Sequence, residues 1–202
     1  LFSAATSNDT AKLVLNSTLE IKTNVTITAP TDSGGSPLLT IVRGDSIASG
    51  APLIAINPSA DAHPATPTTG PAANQATTEV RIENVNIQAR TNTENPQGSG
   101  FAGQTQESAN PGVTIQVKET IENTPNGETT VTPTIVLVNA TISNAVSESG
   151  GAAISTPGDV TLINSTLTGN VAAQSGSEPN AVAQDGGAIK AEGTVNVISS
   201  AL

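Results

Sequence analysis

A short pattern of apolar residues and asparagine recurs along this chain, and it limits the possible folds more than any other feature of the sequence. Moved forward by 25 residues, the segment 135–144 places Asn139 on Asn164 and aligns the apolar residues around them. The segment 80–87 is a further copy, with Asn84 in the place of Asn139. Self-similar units of roughly 20–50 residues are the signature of a solenoid, in which each unit buries its apolar face only by stacking on its neighbours. The pattern therefore predicts one stacked array.

Short runs of strand length make up the units. Most of them alternate apolar with polar residues, as strands with one buried face do, and the Gly, Pro and Asn residues between them suit corners. No segment has the apolar spacing of an amphipathic helix, so the sequence predicts an all-β fold. The main runs are 13–15, 19–21, 25–28, 38–42, 53–56, 80–87, 113–117 and 129–138.

The composition suits a narrow, stacked interior. The 202 residues include two Phe (Phe2 and Phe101) and no Trp, Tyr, Met or Cys, so a core must be built mainly from Val, Ile, Leu, Ala and Thr. Without cysteine there is neither a disulfide framework nor a thiolate metal site. The net charge of −10, with no basic patch, disfavours nucleic acid and anionic membranes as partners.

Four stretches lack the apolar rhythm and are predicted to protrude as loops. Residues 57–78 are rich in Pro, Ala and Thr, and a linker between two domains is the alternative there. We favour a loop because the repeat continues in the same style on the far side. One solenoid domain is thus expected over 13–202, after a lead-in at 1–12. The predicted excursions are 57–78, 90–111, 118–130 and 172–184.

One of these excursions has the signature of a β-hairpin. Asn126-Gly127 lies between strand-like runs, which is a strong short-range signal for a tight turn. A protruding two-stranded arm is therefore predicted. Pro133 is expected at an edge or at the start of a strand, because it has no N–H to donate to a ladder.

The two ends of the sequence favour a piece of a longer chain. The chain begins at Leu1 without the layout of a signal peptide, and no apolar run approaches the ~20 residues that cross a bilayer. It stops at Leu202 within a strand-like run, whereas a solenoid normally has a cap at each end. We expect any membrane association to come only through anchoring regions outside this sequence.

Short motifs of four residues, two of them rich in glycine, give a more specific indication of the family. One is the segment 186–189, a looser copy begins at Gly150, and a third motif spans 167–170. They resemble the Gly-Gly-Ala-(Ile/Leu/Val) and Phe-x-x-Asn motifs of bacterial right-handed parallel β-helix surface proteins, which include the chlamydial polymorphic outer membrane protein repeats. The third motif has Leu where that family has Phe, which favours a bacterial relative outside the chlamydial proteins. The residues that carry the resemblance are Gly186, Gly187, Ala188, Ile189, Leu167, Asn170, Gly150, Gly151 and Ala152.

The resemblance covers roughly residues 13–202 and implies a right-handed parallel β-helix. Its motifs are expected to be architectural. Glycine pairs permit positive φ at a corner and close approach of stacked backbones. The asparagines at 84, 139 and 164 are expected to form a ladder of amide hydrogen bonds from unit to unit. The alternative is that each one is a turn former that faces solvent.

Parallel β-helices also include sugar-cleaving enzymes. The carboxylates on the predicted strands are therefore candidates for a catalytic pair. A glycosidase requires two of them at a defined gap. Glu79 and Glu83 are four residues apart, or about 13 Å along a strand at ~3.3 Å per residue, which exceeds that gap. With Glu20 and Asp159 they are interpreted as solvated strand residues, and no catalytic residue is predicted.

Two further features are candidates for recognition or chemistry. Arg43-Gly44-Asp45 has the letters of an integrin-binding tripeptide and follows a strand, so it is a weak binding candidate. His63 is the single histidine and lies in the Pro-rich loop, where no second His or Cys is available for a zinc site. No metal or cofactor is expected.

The sequence therefore predicts a non-enzymatic adhesin or passenger domain, secreted or on the cell surface and resembling those of autotransporters. Its partner would be a receptor on a host cell, a matrix or a neighbouring cell, and binding would lie on the excursions, since loops on a rigid scaffold carry recognition. The alternatives are a divergent polysaccharide-active lyase or glycosidase and a purely structural stalk.

Overall fold

The computed structural model describes residues 10–48, 50–58, 78–89, 113–124, 127–147, 150–172 and 187–202. Over these residues the chain forms strands β1 to β19 and no helix, so the predicted all-β class is confirmed for this part of the chain. None of the described residues belongs to a helix with the length and apolar character of a membrane span.

Three parallel sheets of five strands contain most of the structure. Sheet I consists of β1 (Ala11–Leu15), β4 (Leu39–Arg43), β7 (Val85–Gln88), β12 (Thr141–Ser143) and β16 (Thr166–Thr168). Sheet II consists of β2 (Leu19–Ile21), β5 (Ile54–Ile56), β8 (Ile115–Val117), β14 (Ile154–Thr156) and β18 (Ile189–Ala191). Sheet III consists of β3 (Val25–Thr28), β6 (Glu79–Glu83), β11 (Thr134–Val138), β15 (Val160–Ile163) and β19 (Val195–Ile198).

Two smaller pairs complete the described strands. β9 (Thr120–Thr124) and β10 (Gly127–Val131) are antiparallel, and β13 (Val146–Ser147) pairs in parallel with β17 (Val171–Ala172).

The chain visits the three large sheets in a fixed order. After β1 it passes from sheet II to sheet III to sheet I and then returns to sheet II. We call each such passage a circuit, and circuits 1 to 5 begin with β2, β5, β8, β14 and β18. Circuit 5 reaches sheet I through Ala201, which bridges to Thr166 of β16. Each strand therefore pairs with its equivalents in the neighbouring circuits.

The strand registers confirm the repeat seen in the sequence. Leu137 pairs with Leu162, and Ile142 pairs with both Leu167 and Ile87. The interval between equivalent residues is 25 from circuit 3 to circuit 4 but 55 from circuit 2 to circuit 3. The intervals differ because the connections between strands differ in length.

The core consists of the inward-facing apolar residues of all three sheets, which form one buried cluster. Ile82, Leu137 and Leu162 occupy equivalent positions in sheet III and are fully buried. Their equivalent in the last strand, Val197, is 44% exposed because a neighbouring circuit covers it on one side only. Full burial of such a side chain stabilises the folded state by about 1.5–3 kcal/mol. Each circuit is therefore stabilised by the neighbouring circuits that cover its apolar side chains.

A tight corner leads from sheet III to sheet I, and its residues confirm the turn-forming role of asparagine. Asn84, Asn139 and Asn164 have φ of 56°, 47° and 49°. Asparagine tolerates this left-handed region better than most residues. The Asn139 Nδ2 also donates to the Asn84 Oδ1 at 2.9 Å, so the predicted ladder exists between these two circuits. At Asn164 the next circuit is reached through the backbone, from its N–H to the Ile198 carbonyl at 3.0 Å.

The other two corners accommodate the predicted excursions. From sheet II to sheet III, circuits 4 and 5 need only residues 157–159 and 192–194, whereas circuits 2 and 3 use 57–78 and 118–133. The excursions at 90–111 and 172–184 fall at the corner from sheet I to sheet II. Most of the residues in three of these loops, namely 59–77, 90–112 and 173–186, lie outside the described residues.

The fourth excursion is the arm, and the structure confirms it with one correction. β9 and β10 pair from Thr120–Val131 to Thr124–Gly127. Gly127 therefore belongs to the ladder, whereas the sequence pattern placed it in the turn, and residues 125–126 lie outside the described residues. The run 129–138 is also divided, because its second half is β11 of sheet III. Pro133 directly precedes β11, as expected for a residue that cannot donate.

Candidate functional site

A groove of about 330 Å³ lies where sheet II passes into sheet III, beside the base of the arm. Three successive circuits contribute to its lining. The lining residues are Val117, Lys118 and Glu119 of circuit 3, Ser155, Thr156 and Pro157 of circuit 4, and Lys190 and Glu192 of circuit 5. The site is thus built from parts of the sequence that only the strand pairing brings together.

The groove exists because circuit 4 turns this corner in three residues, while circuit 3 extends into the arm. The Thr156 Oγ1 accepts a hydrogen bond from the Gly158 N–H at 2.9 Å, which holds the short corner. A Cβ on Gly158 would lie 2.2 Å from the Pro133 carbonyl oxygen. The backbones of the two circuits therefore meet at this corner, and only glycine fits there.

Two lysines and two glutamates line the groove, and their charges are not paired with one another. In the part of the chain that the structure describes, ion pairs join Glu20 to Lys22 at 3.6 Å and Arg81 to Glu83, but none involves a charged residue of the groove. Unpaired charges of both signs in one concave site are available to a ligand.

The base of the arm is fixed to the neighbouring excursion. The Thr120 hydroxyl donates to the carbonyl of Pro58, which lies at the start of the loop 57–78. Val131, the ladder partner of Thr120, is 2% exposed, whereas Ile121 on the next rung is 59% exposed. The arm is therefore anchored at its base and presents the apolar Ile121 side chain to solvent.

The tripeptide 43–45 is placed differently from the predicted presentation at a turn. Arg43 is 5% exposed, and its Nη2 donates to the carbonyls of Ala48 and Ala51 at 3.0 and 2.7 Å. Burial lowers the pKa of the Arg43 guanidinium from its usual value. Gly44 is buried as well, so Asp45 alone of the three is exposed to a partner.

The glycine motifs occupy a corner before sheet II, with a register that differs by one residue from their sequence alignment. Ile154 pairs with Ile189, and the Ala152 N–H donates to the Gly187 carbonyl at 3.0 Å. The copy that begins at Gly150 is therefore displaced by one position, and Gly151 has a φ of 61°. Ala152 is buried, Ala188 and Ile189 are half-buried, Gly187 is exposed, and Gly186 lies outside the described residues.

The third motif also occupies the scaffold. Leu167 is 3% exposed in the core. The Asn170 Oδ1 accepts from the Ala145 N–H, and its Nδ2 donates to the Ile142 carbonyl, both at 3.0 Å. These contacts join circuit 4 to circuit 3, so the motif serves the stacking of circuits.

Three of the four carboxylates named from the sequence have a partner in the structure. Glu20 and Glu83 form the two ion pairs described above, and the Asp159 Oδ1 accepts from the Thr194 N–H at 2.7 Å. Glu79 is exposed. Among the described residues no three His, Asp or Glu side chains come together in a metal-binding group, and His63 lies outside these residues.

Sequence reasoning included Lys118 and Glu119 only as part of the excursion 118–130, and it missed Lys190 and Glu192. Lys118 and Glu119 directly follow the buried strand β8, and Lys190 and Glu192 flank the end of β18. A charge next to an apolar run is common and marks no site by itself. These residues form one site because the ends of β8 and β18 are equivalent positions in sheet II. That equivalence is known only once the strand registers are known.

The comparisons with known proteins leave the family open: no family model matches the chain, and searches of the curated proteins and of the solved structures find no match either.

Proposed function

We propose that this chain is the rod of a surface-exposed binding protein, folded as a right-handed parallel β-helix and acting as an adhesin or passenger domain. The fixed order of the three parallel sheets supports the β-helix, because stacked circuits are the arrangement in which each circuit covers the apolar face of the next. The excursions at two of the three corners support the binding role.

The observation that carries the proposed function is the clustering at the corner from sheet II to sheet III. The loop 57–78 and the arm leave this corner in adjacent circuits and are joined by the Thr120–Pro58 hydrogen bond. The groove lies directly beside them. Recognition in proteins concentrates on loops that a rigid scaffold positions, so this corner is the binding edge of the molecule.

Truncation of the arm tests this function. Replacing residues 121–130 by Asn-Gly retains Thr120 and Val131 and closes the hairpin with a two-residue turn. The matched control replaces residues 32–36 by Asn-Gly between Thr31 and Pro37, which bridge at the base of a turn on another corner. Binding to cultured epithelial cells and to immobilised matrix proteins is measured with the labelled protein.

We expect the arm truncation to lower cell or matrix binding at least tenfold and the control to bind as the unmodified chain does. If both variants bind equally well, the arm is not the binding element. If the unmodified chain binds no surface, the structural stalk becomes the better explanation.

A second candidate function is cleavage of a polysaccharide. It is favoured by Glu119 and Glu192, two carboxylates that line the same groove, because glycosidases use a pair of them. Release of reducing or unsaturated ends from a panel of soluble polysaccharides is the measurement. Activity that is lost in both Glu119→Gln and Glu192→Gln would replace the adhesin by an enzyme.

A further inference from the structure

The charges of the groove have an arrangement that restricts its ligand. Lys118 and Glu119 form one wall, and Lys190 and Glu192 form the other. The walls are two strand spacings apart, about 10 Å at ~4.8 Å per strand, and the circuit 4 lining residues between them, Ser155, Thr156 and Pro157, are uncharged. Each wall therefore offers one charge of each sign across a neutral floor.

A ligand of a single sign is disfavoured at this site. A polyanion would meet a glutamate on each wall, and the whole chain carries a net charge of −10. A polycation would meet a lysine on each wall. Because both lysines and both glutamates lack partners among the described residues, a ligand that carries both signs gains complementary contacts without breaking existing ion pairs.

The spacing within one wall matches an extended peptide. Lys190 and Glu192 are two residues apart on either side of Ala191, about 6.6 Å at ~3.3 Å per residue. Successive side chains on one face of an extended peptide have the same interval.

The groove volume of about 330 Å³ is at the lower end for ligand sites, which suits two or three side chains. Among the described residues of its lining there is no aromatic residue on which a sugar ring would stack.

We propose that the groove binds an extended peptide segment that carries opposite charges two residues apart and has a net charge near zero. This inference rests on the proposed binding function and names the class of partner for the same corner. Lys118 and Lys190 bind the acidic side chains of the peptide, and Glu119 and Glu192 bind the basic ones.

Titration with a synthetic peptide tests the inference. The probe is acetyl-Lys-Ala-Glu-Ala-Lys-Ala-Glu-amide, and binding to the full chain is followed by nuclear magnetic resonance shifts and calorimetry at low and high salt. We expect binding that weakens as salt rises and that falls about two- to fivefold in Lys190→Gln, as for the loss of one exposed ion pair. The control Lys22→Gln changes an exposed lysine outside the groove and should leave the affinity unchanged.

Three other ligands and one variant could give results that contradict the inference. Heptaglutamate, heptalysine or a chitin tetrasaccharide that binds more tightly than the mixed-charge peptide would overturn the inference, as would a peptide affinity that Lys190→Gln leaves unchanged. The arm truncation keeps all four groove charges, so the two proposals fail separately. Loss of cell binding on arm truncation, without peptide binding in the groove, removes this inference and leaves the adhesin.

Discussion

Asparagine performs two tasks at the corner from sheet III to sheet I. Its backbone adopts positive φ in three circuits, and the Asn139 amide also reaches Asn84 and the Gly35 carbonyl, both at 2.9 Å. The repeat of asparagine in the sequence was sufficient to predict this corner, because few other residues tolerate its backbone conformation. The contact with Gly35 was not predictable, since that residue is 104 positions away.

Two substitutions of Asn139 separate the tasks. Asn139→Gly keeps the freedom to adopt positive φ and loses the side-chain hydrogen bonds, so we expect the free energy of unfolding to fall by about 1 kcal/mol. Asn139→Ala also incurs the left-handed backbone cost and should lose about 2–4 kcal/mol. Urea unfolding measures both. Equal losses in the two variants would show that the backbone conformation contributes nothing.

One added methyl group should be costly in one glycine motif and nearly neutral in the other. A Cβ at Gly151 would lie 2.4 Å from the Ile154 carbonyl oxygen, and its φ is 61°. At Gly187 a Cβ would have no heavy atom of the described residues within 4 Å, apart from its chain neighbours. We expect Gly151→Ala to lower the free energy of unfolding by about 2–4 kcal/mol and Gly187→Ala to change it by less than about 0.5 kcal/mol. Similar midpoints in urea for the two variants would contradict this placement.

At the scale of elements, alternation of apolar and polar residues was sufficient to locate most strands. It did not locate the groove, because Lys118 and Lys190 come together only when β8, β14 and β18 pair. The excursions between these strands vary in length, so no constant interval in the sequence indicates which strand ends are neighbours. The candidate site could therefore not be predicted, although the scaffold below it could.

The arm offers a matched pair of positions on adjacent rungs. Val131 is 2% exposed, and its truncation in Val131→Ala should cost about 1–2.5 kcal/mol through lost burial and a small cavity. Ile121 is 59% exposed, so Ile121→Ala should stay within about 0.5 kcal/mol. Thermal unfolding followed by circular dichroism distinguishes them. A larger effect at Ile121 would mean that the arm packs against the body rather than protruding.

For the whole molecule, the 25-residue register between circuits 3 and 4 predicts that one circuit can be removed. Deleting residues 137–161 joins Val136 to Leu162 and keeps every inward position of sheet III apolar. The control deletes 137–160, which leaves Thr161 in the inward place of Leu137 and turns Leu162 outward. We expect the first variant to keep its β-sheet circular dichroism and the second to unfold or aggregate. Equal damage from both deletions would argue against a stack of equivalent circuits.

If the chain is the proposed rod, its unequal circuits determine how it lengthens under tension. Parallel ladders place their hydrogen bonds along the stacking direction, so a pull on the two ends loads the outermost circuit while the inner circuits remain paired. Equivalent residues are 25, 35 or 55 positions apart in sheet III. Each released circuit would then lengthen the chain by roughly 80 to 200 Å, at ~3.3–3.6 Å per residue. The proposed rod would therefore lengthen in graded steps under tension, and the circuits with the longest excursions would supply the largest ones.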